Sequence, residues 1–489
     1  MTATTDHTTP HPLPTGTGSL LIGGQWVPSA DGGLRDLLDP ATGTRIGTAA
    51  EATGDDTARA VAAARAALPA WSAVPARQRG RLLLRAADLV RERAEEFARL
   101  ESLDTGKPLA LARAVDVATA IEILEYYAAL ASGIEGSVRS TGAPWFAYTL
   151  REPVGVIAAV TPFNFPLILS MSKIAPALAA GNTVVHKPAE ETPLSALLMA
   201  EVLGESGIPD GVLNVVTGGP EAGRALVTDP GVDKIAFTGS TAVGRQIARD
   251  AASVPTPVTA ELGGKGANIV FADADLDAAV ETAVRGFVFN TGQFCMAGSR
   301  LLVERPVHDA VVAALARAVP SIPVGDPADE STVIGPMTGP RHLAKVAGVL
   351  ERAAHGGARV AVGGTAHLGT GFFVEPTVLC DVAQDSEFVQ EEIFGPVLTV
   401  QAFDTEEEAV ALANGTRYGL AAGLQTRDVA RAHRVAARLR AGIVWINTWA
   451  GLDVAVPFGG RGASGHGREF GPEGLDAYLS TKSVVLPLG

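Results

Sequence analysis

The sequence predicts an α/β fold in which a doubly wound parallel sheet is followed by a second α/β unit. Two observations carry this prediction: short apolar segments alternate with helical stretches from Val154 onward, and a second alternating series begins at Ala267. Such alternation is typical of parallel βαβ units. In the first series we expect strands at 154–160, 183–186, 211–216 and 234–237 and helices at 194–205 and 244–252.

The second series alternates strands and helices in the same way, and a helical region precedes the first series. The predicted strands of the second series lie at 267–271, 299–303, 397–403 and 442–446, and its helices at 306–319, 341–355 and 427–440. Mixed charged and apolar residues at helical spacing predict helices across 55–134, interrupted at Pro69, Pro75 and Pro108. The apolar segment 478–486 predicts a strand at a sheet edge, which could join subunits.

Composition excludes classes of partner. At roughly 150 residues per domain, a chain of this length predicts about three units. The formal net charge is −14, from 39 basic and 53 acidic residues. Nucleic acids and anionic membranes both require clustered Lys and Arg, so this balance argues against either as a partner.

Cysteine usage and the first residues bear on the compartment. The only cysteines are Cys295 and Cys380, whereas a disulfide-held secreted scaffold would carry more. The first 34 residues contain no Lys or Arg, so we expect neither a secretory signal nor a mitochondrial leader. We therefore expect a cytoplasmic protein, with a disordered tail, rich in Thr and Pro, at 1–18.

One uncharged segment, 153–172, is long enough to span a bilayer. Pro153, Pro162 and Pro166 interrupt it, Asn164 lies near its centre, and Lys173 follows. A helix facing lipid would leave backbone groups unpaired at these breaks. The segment therefore predicts a buried strand, a loop and then a helix.

Cys295, in the segment GQFC, is the candidate nucleophile. A cysteine attacks only as the thiolate, and at an ordinary pKa of about 8.5 only a few per cent is ionised at neutral pH. The alternative is a buried structural thiol, which is the interpretation we give to Cys380. The residues around Cys295 in the fold must decide between the two.

Glu261 and Asn164 could assist a nucleophile. Glu261 follows a predicted strand at 257–260 and precedes two glycines; in a partly apolar cleft its pKa would rise and it could act as a general base. A solvated loop carboxylate is the alternative. Asn164, in PFNFP, is either a rigid donor for an oxyanion or an Asx-turn that holds the loop.

Other segments could bind a nucleotide. In FTGSTAVG a strand meets a helix whose N-terminus, at Ser240 or Thr241, favours a phosphate. Lys187 and Glu190 end another strand, where open sheets bind ligands and an acid can accept from ribose hydroxyls. A common helix cap and two solvated charges are the respective alternatives. EEIFGPV could equally be an acidic helix end, and PFGG a flexible turn.

Together these segments resemble the aldehyde dehydrogenase superfamily. The resemblance runs from about Leu20 to the C-terminus and rests on seven motifs in order: PFNFP, KPAEETP, FTGSTAVG, ELGGK, GQFC, EEIFGPV and PFGG. Each is ordinary alone, but the ordered set is specific. It implies a Rossmann-like, doubly wound NAD-binding domain (19–133 and 153–262), a second α/β catalytic domain (263–465) and a small β oligomerisation element (134–152 and 466–489), in a homodimer or homotetramer.

The resemblance also implies a reaction, the NAD-dependent oxidation of an aldehyde to a carboxylic acid. Cys295 would be the nucleophile, and Glu261 the general base that hydrolyses the thioester. Asn164 and the backbone N–H of Cys295 would form the oxyanion hole. Lys173 and Glu469 match positions that relay protons or order the site.

The resemblance implies cofactor and substrate positions as well. The cofactor positions are Thr161, Pro162, Phe163, Lys187, Glu190, Gly239, Ser240, Leu262, Glu392 and Phe394. The substrate positions are Phe165, Leu169, Phe294, Met296, Leu452 and Phe458. This apolar lining favours an aliphatic or aromatic aldehyde, although Asp453 could meet a cationic aminoaldehyde. Glu190 favours NAD by repelling a 2′-phosphate, whereas Lys187 keeps NADP possible.

Two other functions stay open. A coenzyme A-acylating semialdehyde dehydrogenase would lack a glutamate at the position of Glu261. A catalytically inert binding or structural relative would have lost a catalytic residue, whereas Cys295, Glu261 and Asn164 are all present. No metal-binding or P-loop motif occurs, so we expect no metal.

Overall fold

The computed structural model describes residues 13–367 and 369–488. The predicted tail, 1–18, lies largely outside the described residues. Its end, 13–18, forms hydrogen-bonded turns in which Pro14 and Gly16 are buried, so this part packs against the domain. Within the described ranges, no helix is both long enough and apolar enough to cross a bilayer.

Two hairpins and a helical region begin the described chain. The strands are β1 (Leu20–Ile22), β2 (Gln25–Val27), β3 (Leu34–Leu38) and β4 (Arg45–Ala50). The helices are α1 (Gly54–Ala73), α2 (Ala76–Glu92), α3 (Ala94–Thr105), α4 (Leu109–Leu111) and α5 (Ala118–Ala131), with a π-helical turn at Ala112–Val117. The helical region predicted at 55–134 is thus confirmed. Pro69, expected to interrupt it, lies inside α1, where the buried Trp71 holds the last turn against the core.

The next part of the chain alternates strands and helices as predicted. Its elements are β5 (Val138–Arg139), β6 (Trp145–Pro153), β7 (Val156–Val160), α6 (Pro166–Ala180), β8 (Thr183–Lys187), α7 (Leu194–Glu205), β9 (Leu213–Val215), α8 (Pro220–Thr228), β10 (Lys234–Thr238), α9 (Thr241–Ala251) and β11 (Val258–Glu261). The uncharged segment 153–172 forms β7, a loop and the start of α6, as predicted.

A second alternating series follows, and three short elements end the chain. The series comprises β12 (Ala267–Val270), α10 (Leu276–Val288), β13 (Arg300–Glu304), α11 (Arg305–Ala318), α12 (Pro340–His355), β14 (Arg359–Val362), β15 (Thr377–Cys380), α13 (Glu387–Gln390), β16 (Val397–Phe403), α14 (Glu406–Asn414), β17 (Ala421–Gln425), α15 (Val429–Ala436) and β18 (Ile443–Ile446). The last elements are β19 (Gly465–His466), α16 (Gly471–Asp476) and β20 (Leu479–Pro487).

The first sheet is doubly wound. Its strand order is β19-β11-β10-β7-β8-β9-β1-β2, and the strands from β7 to β11 are parallel. The chain moves from β7 through β8 to β9 on one side, then returns to place β10 and β11 on the other. Ligands of open α/β sheets bind at the carboxyl ends of the strands at such a reversal.

The second sheet has the order β14-β15-β16-β13-β12-β17-β18 and is parallel except for β14. The sequence prediction lacked β14, β15 and β17. The segment of β17, Ala-Ala-Gly-Leu-Gln, is poor in the β-branched and aromatic residues that indicate a strand, and burial between β12 and β18 stabilises it instead. Cys380 is fully buried in β15, which confirms its structural role.

A third sheet, β20-β6-β5, pairs the last strand of the described chain with the two strands that precede β7. β20 and β6 pair antiparallel from Leu479↔Pro153 to Pro487↔Trp145. The strand predicted at 478–486 is therefore confirmed. Several large apolar side chains of this sheet are exposed, namely Val138, Trp145, Phe146, Leu150, Val485 and Leu486.

Candidate active site

Cys295 lies in a tight turn between α10 and β13. Three successive residues before the turn, Asn290, Thr291 and Gly292, have φ values of 49°, 57° and 69°. Left-handed backbone is costly for the two non-glycine residues and persists only where surrounding contacts enforce it. Asn290 and Thr291 are both buried, so their surroundings hold the backbone segment that leads to Cys295 in one conformation.

The pKa of the Cys295 thiol is raised to about 12. Burial is the largest cause, the negative charges of Glu392 and Glu261 add to it, and the backbone N–H groups of Met296 and Cys295 act in the opposite direction. Without a ligand, Cys295 is therefore a protonated thiol at neutral pH. The same interactions show that both carboxylates lie near the sulfur.

Asn164 faces the segment that leads to the thiol. It is 3% exposed in the loop between β7 and α6, and its Nδ2 donates to the carbonyl oxygen of Gln293 at 3.0 Å. In return, Nδ2 of Asn290 donates to the carbonyl oxygen of Asn164 at 2.9 Å. The amide is therefore fixed in orientation next to the Cys295 turn.

Glu261, the last residue of β11, is 3% exposed. Its Oε2 accepts from the Gly460 N–H at 3.3 Å, while Oε1 has no hydrogen-bond partner among the described residues. Burial raises the pKa of Glu261 well above its usual value, the charge of Glu469 raises it further, and Lys173 opposes both. A raised pKa makes the carboxylate a stronger base than an exposed glutamate.

Lys173 and Glu469 form a buried ion pair, with Nζ 2.7 Å from Oε1. Nζ of Lys173 also donates to Oγ1 of Thr238 at 2.6 Å, and Oγ of Ser172 donates to the second oxygen of Glu469 at 2.9 Å. The two residues come from α6 and from the segment after β19, so the pair ties the C-terminal part of the chain to the first sheet.

The predicted cofactor residues of the first sheet follow its strand ends. Thr161, Pro162 and Phe163 follow β7, Gly239 and Ser240 follow β10, and Leu262 follows β11. Ser240 caps α9, its Oγ accepting from the Val243 N–H at 3.3 Å. The structure thus brings these residues together around the strand reversal, where the N-terminus of α9 favours an anionic group.

Lys187 and Glu190 lie at the end of β8. Nζ of Lys187 donates to the Pro188 carbonyl oxygen at 3.0 Å, and burial lowers the pKa of Lys187. A guanidinium nitrogen of Arg341 lies 4.0 Å from Oε1 of Glu190. Between Glu190, Phe163 and the start of α12 is a cavity of about 440 Å³.

Glu392 and Phe394 are held from two sides. Oε1 of Glu392 accepts from the Gly264 N–H at 2.8 Å, and Nζ of Lys345 donates to the Glu392 carbonyl oxygen at 3.1 Å. Phe394 has a φ of 63°, and its carbonyl oxygen lies 2.6 Å from Nε2 of His342. Burial lowers the pKa of His342 to about 4, so its ring is neutral and donates through Nε2 at neutral pH.

The predicted substrate residues are mostly brought together beside the thiol. The rings of Phe165 and Phe294 have centroids 5.8 Å apart, and Phe289, which sequence reasoning missed, lies 5.0 Å from Phe294. Met296, Phe458 and the partly buried Leu169 belong to the same apolar cluster. Leu452 is not part of this cluster and is 37% exposed, in the irregular segment after β18.

Sequence reasoning also missed a buried charged cluster behind the aromatic wall. Nζ of Lys107 lies 2.6 Å from Asp116 and 3.3 Å from Glu101, and all three side chains are fully buried. The same ammonium lies 4.2 Å from the centroid of the Phe165 ring. Glu101 lies in α3, Asp116 lies in the π-helical turn, and Lys107 lies in the break between α3 and α4. No local pattern in the sequence shows that these three charges face inward together.

Within residues 13–367 and 369–488, no three His, Cys, Asp or Glu side chains cluster to hold a metal ion. The sequence profile of the aldehyde dehydrogenase family matches residues 26–484. The chain belongs to the aldehyde dehydrogenase family. Its two α/β units, predicted from the sequence, form the fold of this family: a Rossmann-like cofactor domain and a second catalytic domain.

Solved aldehyde dehydrogenases superpose on the chain with a TM-score of 0.95. One from Bacillus cereus, in complex with NAD+, is 42% identical, with 97% of each chain covered. PnpE from Pseudomonas sp. WBC-3 is 44% identical over 96% of this chain and 98% of its own. The betaine aldehyde dehydrogenase of Staphylococcus aureus, also with NAD+, is 40% identical over 97% of this chain and 95% of its own.

Proposed function

We propose that this chain uses NAD+ to oxidise an aldehyde to a carboxylic acid. The reaction passes through a thioester on Cys295, which water hydrolyses with the help of Glu261. The observation that carries the proposal is the buried carboxylate of Glu261, which lies near the thiol, has a raised pKa and has one oxygen that accepts no hydrogen bond from the part of the chain that the structure describes. Buried polar groups are ordinarily hydrogen-bonded, so this oxygen is available to a water molecule beside the thiol.

The strand ends suit a dinucleotide. The capped N-terminus of α9 at Ser240 suits the pyrophosphate, Lys187 and Glu190 suit one ribose, and Glu392 suits the other. When bound, NAD+ would supply the nicotinamide ring that accepts a hydrogen with two electrons from the aldehyde carbon, the loss that turns the Cys295 adduct into the thioester. His342 and Lys345 hold the turn that carries Glu392, so the cleft has this acid in place before any ligand enters.

In the first step Cys295 gives its proton to solvent and its sulfur bonds to the aldehyde carbon. The carbonyl oxygen then gains negative charge. Nδ2 of Asn164 uses one hydrogen on Gln293, and we assign its second hydrogen, with the Cys295 backbone N–H, to this oxyanion. Each such donor is worth about 3 kcal/mol in other oxyanion holes.

In the last step the thioester is hydrolysed. Glu261 takes a proton from water, the water oxygen bonds to the acyl carbon, and the carbon–sulfur bond breaks to release the acid and the Cys295 thiolate, which takes up a proton from solvent. The Lys173–Glu469 pair lies near Glu261: the charge of Glu469 raises the pKa of Glu261, and the charge of Lys173 lowers it. We propose that this pair adjusts the base and receives its proton. The same Glu261 disfavours transfer of the acyl group to coenzyme A.

For the substrate we propose an aldehyde with an apolar aliphatic or aromatic group. Phe165, Phe289 and Phe294 pack on one another beside the thiol. Burying an apolar group against them is favourable, whereas a charged group would lose its hydration. Asp453 lies in an exposed turn, where its carboxylate accepts from the Ala455 N–H at 2.8 Å; this local bond supports a turn role.

For the cofactor we propose NAD rather than NADP. Three acids, Glu51, Glu190 and Glu191, lie near Lys187. A 2′-phosphate would bring further negative charge to this group of carboxylates. Lys187 and Arg341 offset part of the repulsion, so NADP remains a poorer second cofactor.

We also propose that the chain forms a homodimer or homotetramer through the β20-β6-β5 sheet. Trp145, Phe146, Val485 and Leu486 expose apolar surface there, and contiguous exposed apolar surface marks an interaction site. Because the nucleophile must remain a free thiol, we place the protein in a reducing compartment, the cytoplasm.

The test is an assay of NADH formation over aliphatic, aromatic, amino- and semialdehydes, with NAD+ and NADP+ in parallel. We expect turnover with apolar aldehydes and NAD+, none with Cys295→Ala, and full retention of NAD+ binding by that variant. Cys380→Ala, which removes the buried structural thiol, is the matched control and should keep its activity. Undiminished turnover by Cys295→Ala would disprove the proposal.

A further inference from the structure

Trp449 lies next to the nucleophile without touching the reacting atoms. It is 1% exposed, and its indole Nε1 donates to the carbonyl oxygen of Met296 at 3.0 Å. Met296 directly follows Cys295, and its backbone N–H is one of two that stabilise the thiolate. The indole therefore anchors the residue whose N–H points to the sulfur.

Four glycines surround the indole. A Cβ atom on Gly286, Gly298, Gly266 or Gly423 would lie 3.2, 3.1, 3.2 or 2.7 Å from an atom of the Trp449 ring. The distance at Gly423 leaves no room for a side chain, and the other three are tighter than most contacts of a real Cβ atom, so the backbone packs closely on the ring at all four positions. The glycines come from α10, β17 and the segments before β12 and β13. Because backbone from four separate segments packs against the indole, the ring is held in one orientation.

The carbonyl groups on either side of Met296 are confined as well. The Cys295 carbonyl oxygen packs against Gly264, where a Cβ would overlap it, and the Ala297 carbonyl oxygen would lie 2.6 Å from a Cβ on Gly266. The N–H of Ala297 closes the turn by donating to the Phe294 carbonyl oxygen at 2.9 Å. Between these two steric contacts, the Trp449 indole supplies the directional hydrogen bond.

From this arrangement we infer that Trp449 is a positioning residue for the thiol: its indole N–H fixes the Met296 carbonyl, and thereby the Met296 backbone, so that the N–H on the other side of this residue stays directed at the Cys295 sulfur. The role rests on the proposed function, because it matters only if Cys295 is the nucleophile. Without the bond, the Met296 carbonyl loses its donor and the turn can rotate, which withdraws an N–H from the sulfur.

A neighbouring tryptophan provides a matched control. Trp445 lies 5.0 Å from Trp449 between ring centroids, and its Nε1 donates to the Gly451 carbonyl oxygen at 2.7 Å. Trp445→Phe and Trp449→Phe therefore each remove one buried indole–carbonyl hydrogen bond from the same aromatic pair. Only the second bond reaches the nucleophile turn.

The experiment measures the rate of Cys295 alkylation by iodoacetamide between pH 7 and 10, with the labelled peptide identified by mass spectrometry. We expect Trp449→Phe to slow alkylation about tenfold at each pH, since one pKa unit changes the thiolate fraction tenfold below the pKa. The kcat should fall with it while KM changes little. Trp445→Phe should alkylate at the wild-type rate, with a similar loss in Tm.

Equal alkylation rates for wild type and Trp449→Phe, or equal slowing in both variants, would overturn the inference, since the second result indicates general loosening. If Trp449→Phe does not fold, 3-benzothienylalanine at position 449 keeps the bicyclic ring and removes only the N–H. The alkylation rate does not depend on turnover: slowed alkylation in a chain that oxidises no aldehyde would refute the proposed function and leave the positioning role standing.

Discussion

Nζ of Lys173 lies 2.7 Å from Oε1 of Glu469, and neither side chain is more than 3% exposed. Glu469 raises the pKa of Glu261 and Lys173 lowers it. The ion pair therefore joins two parts of the chain and, at the same time, adjusts the proposed base.

Lys173→Met should destabilise the fold by about 3–5 kcal/mol, because it leaves the Glu469 carboxylate buried and unpaired. Urea unfolding followed by fluorescence measures this. In Lys173→Met/Glu469→Gln much of the loss should return, since no charge is left unpaired. Lys234→Met is the control: its Nζ donates to Thr259 at 2.8 Å without an ion pair, so its cost should be smaller. A double variant as unstable as the single one would contradict this account.

Lys107→Met should weaken both stability and binding of bulky aldehydes. It leaves Glu101 and Asp116 unpaired in the interior, at a cost of about 3–5 kcal/mol, and it removes the ammonium from the Phe165 ring. We expect KM to rise for an aromatic aldehyde and to change little for acetaldehyde. The variant Lys107→Met/Asp116→Asn should regain the part of the stability that is lost through Asp116, since only Glu101 then stays unpaired, but not the aromatic KM. Equal changes in KM for both aldehydes would argue against a role in the tunnel wall.

Glu190→Gln should shift cofactor preference toward NADP+. Removing one negative charge about 4 Å from a 2′-phosphate is worth about 1 kcal/mol in water and more in a cleft, so the kcat/KM ratio of NADP+ to NAD+ should rise about tenfold. Steady-state kinetics with both cofactors measures the ratio. Glu221→Gln, at the exposed start of α8, should leave it unchanged. An unchanged ratio in Glu190→Gln would remove this acid from cofactor selection.

Alkylation of Cys295 in the cofactor-free protein should keep accelerating up to pH 10 without a plateau. The pKa of the thiol is raised to about 12, so the thiolate fraction is small at pH 8 and still rises at pH 10. Glu392→Gln should speed alkylation, because the charge of Glu392 is one cause of the raised pKa. Glu391→Gln, whose exposed carboxylate pairs with Arg417, is the control. A plateau below pH 9 would show that the thiol is less buried than the structure indicates.

The sequence predicted the parts of the site that local patterns mark. The strand ends at Lys187, Ser240 and Glu261 follow from alternation, and motif order supplied Cys295 and Asn164. Trp449 and Lys107 could not be predicted in this way. Trp449 depends on glycines more than 150 residues apart in the chain. Lys107 lies in the break between α3 and α4, and its burial depends on Asp116 and Phe165 packing around it. Neither relation leaves a local pattern.

The most direct test of the proposed mechanism is intact and peptide mass spectrometry of Glu261→Gln after mixing with NAD+ and an apolar aldehyde. Without its base the enzyme should release about one NADH per active site and then stall. The account predicts that an acyl group replaces the thiol hydrogen of Cys295. The peptide should therefore gain the mass of the aldehyde less two hydrogen atoms. An unmodified Cys295 together with steady NADH formation would contradict it.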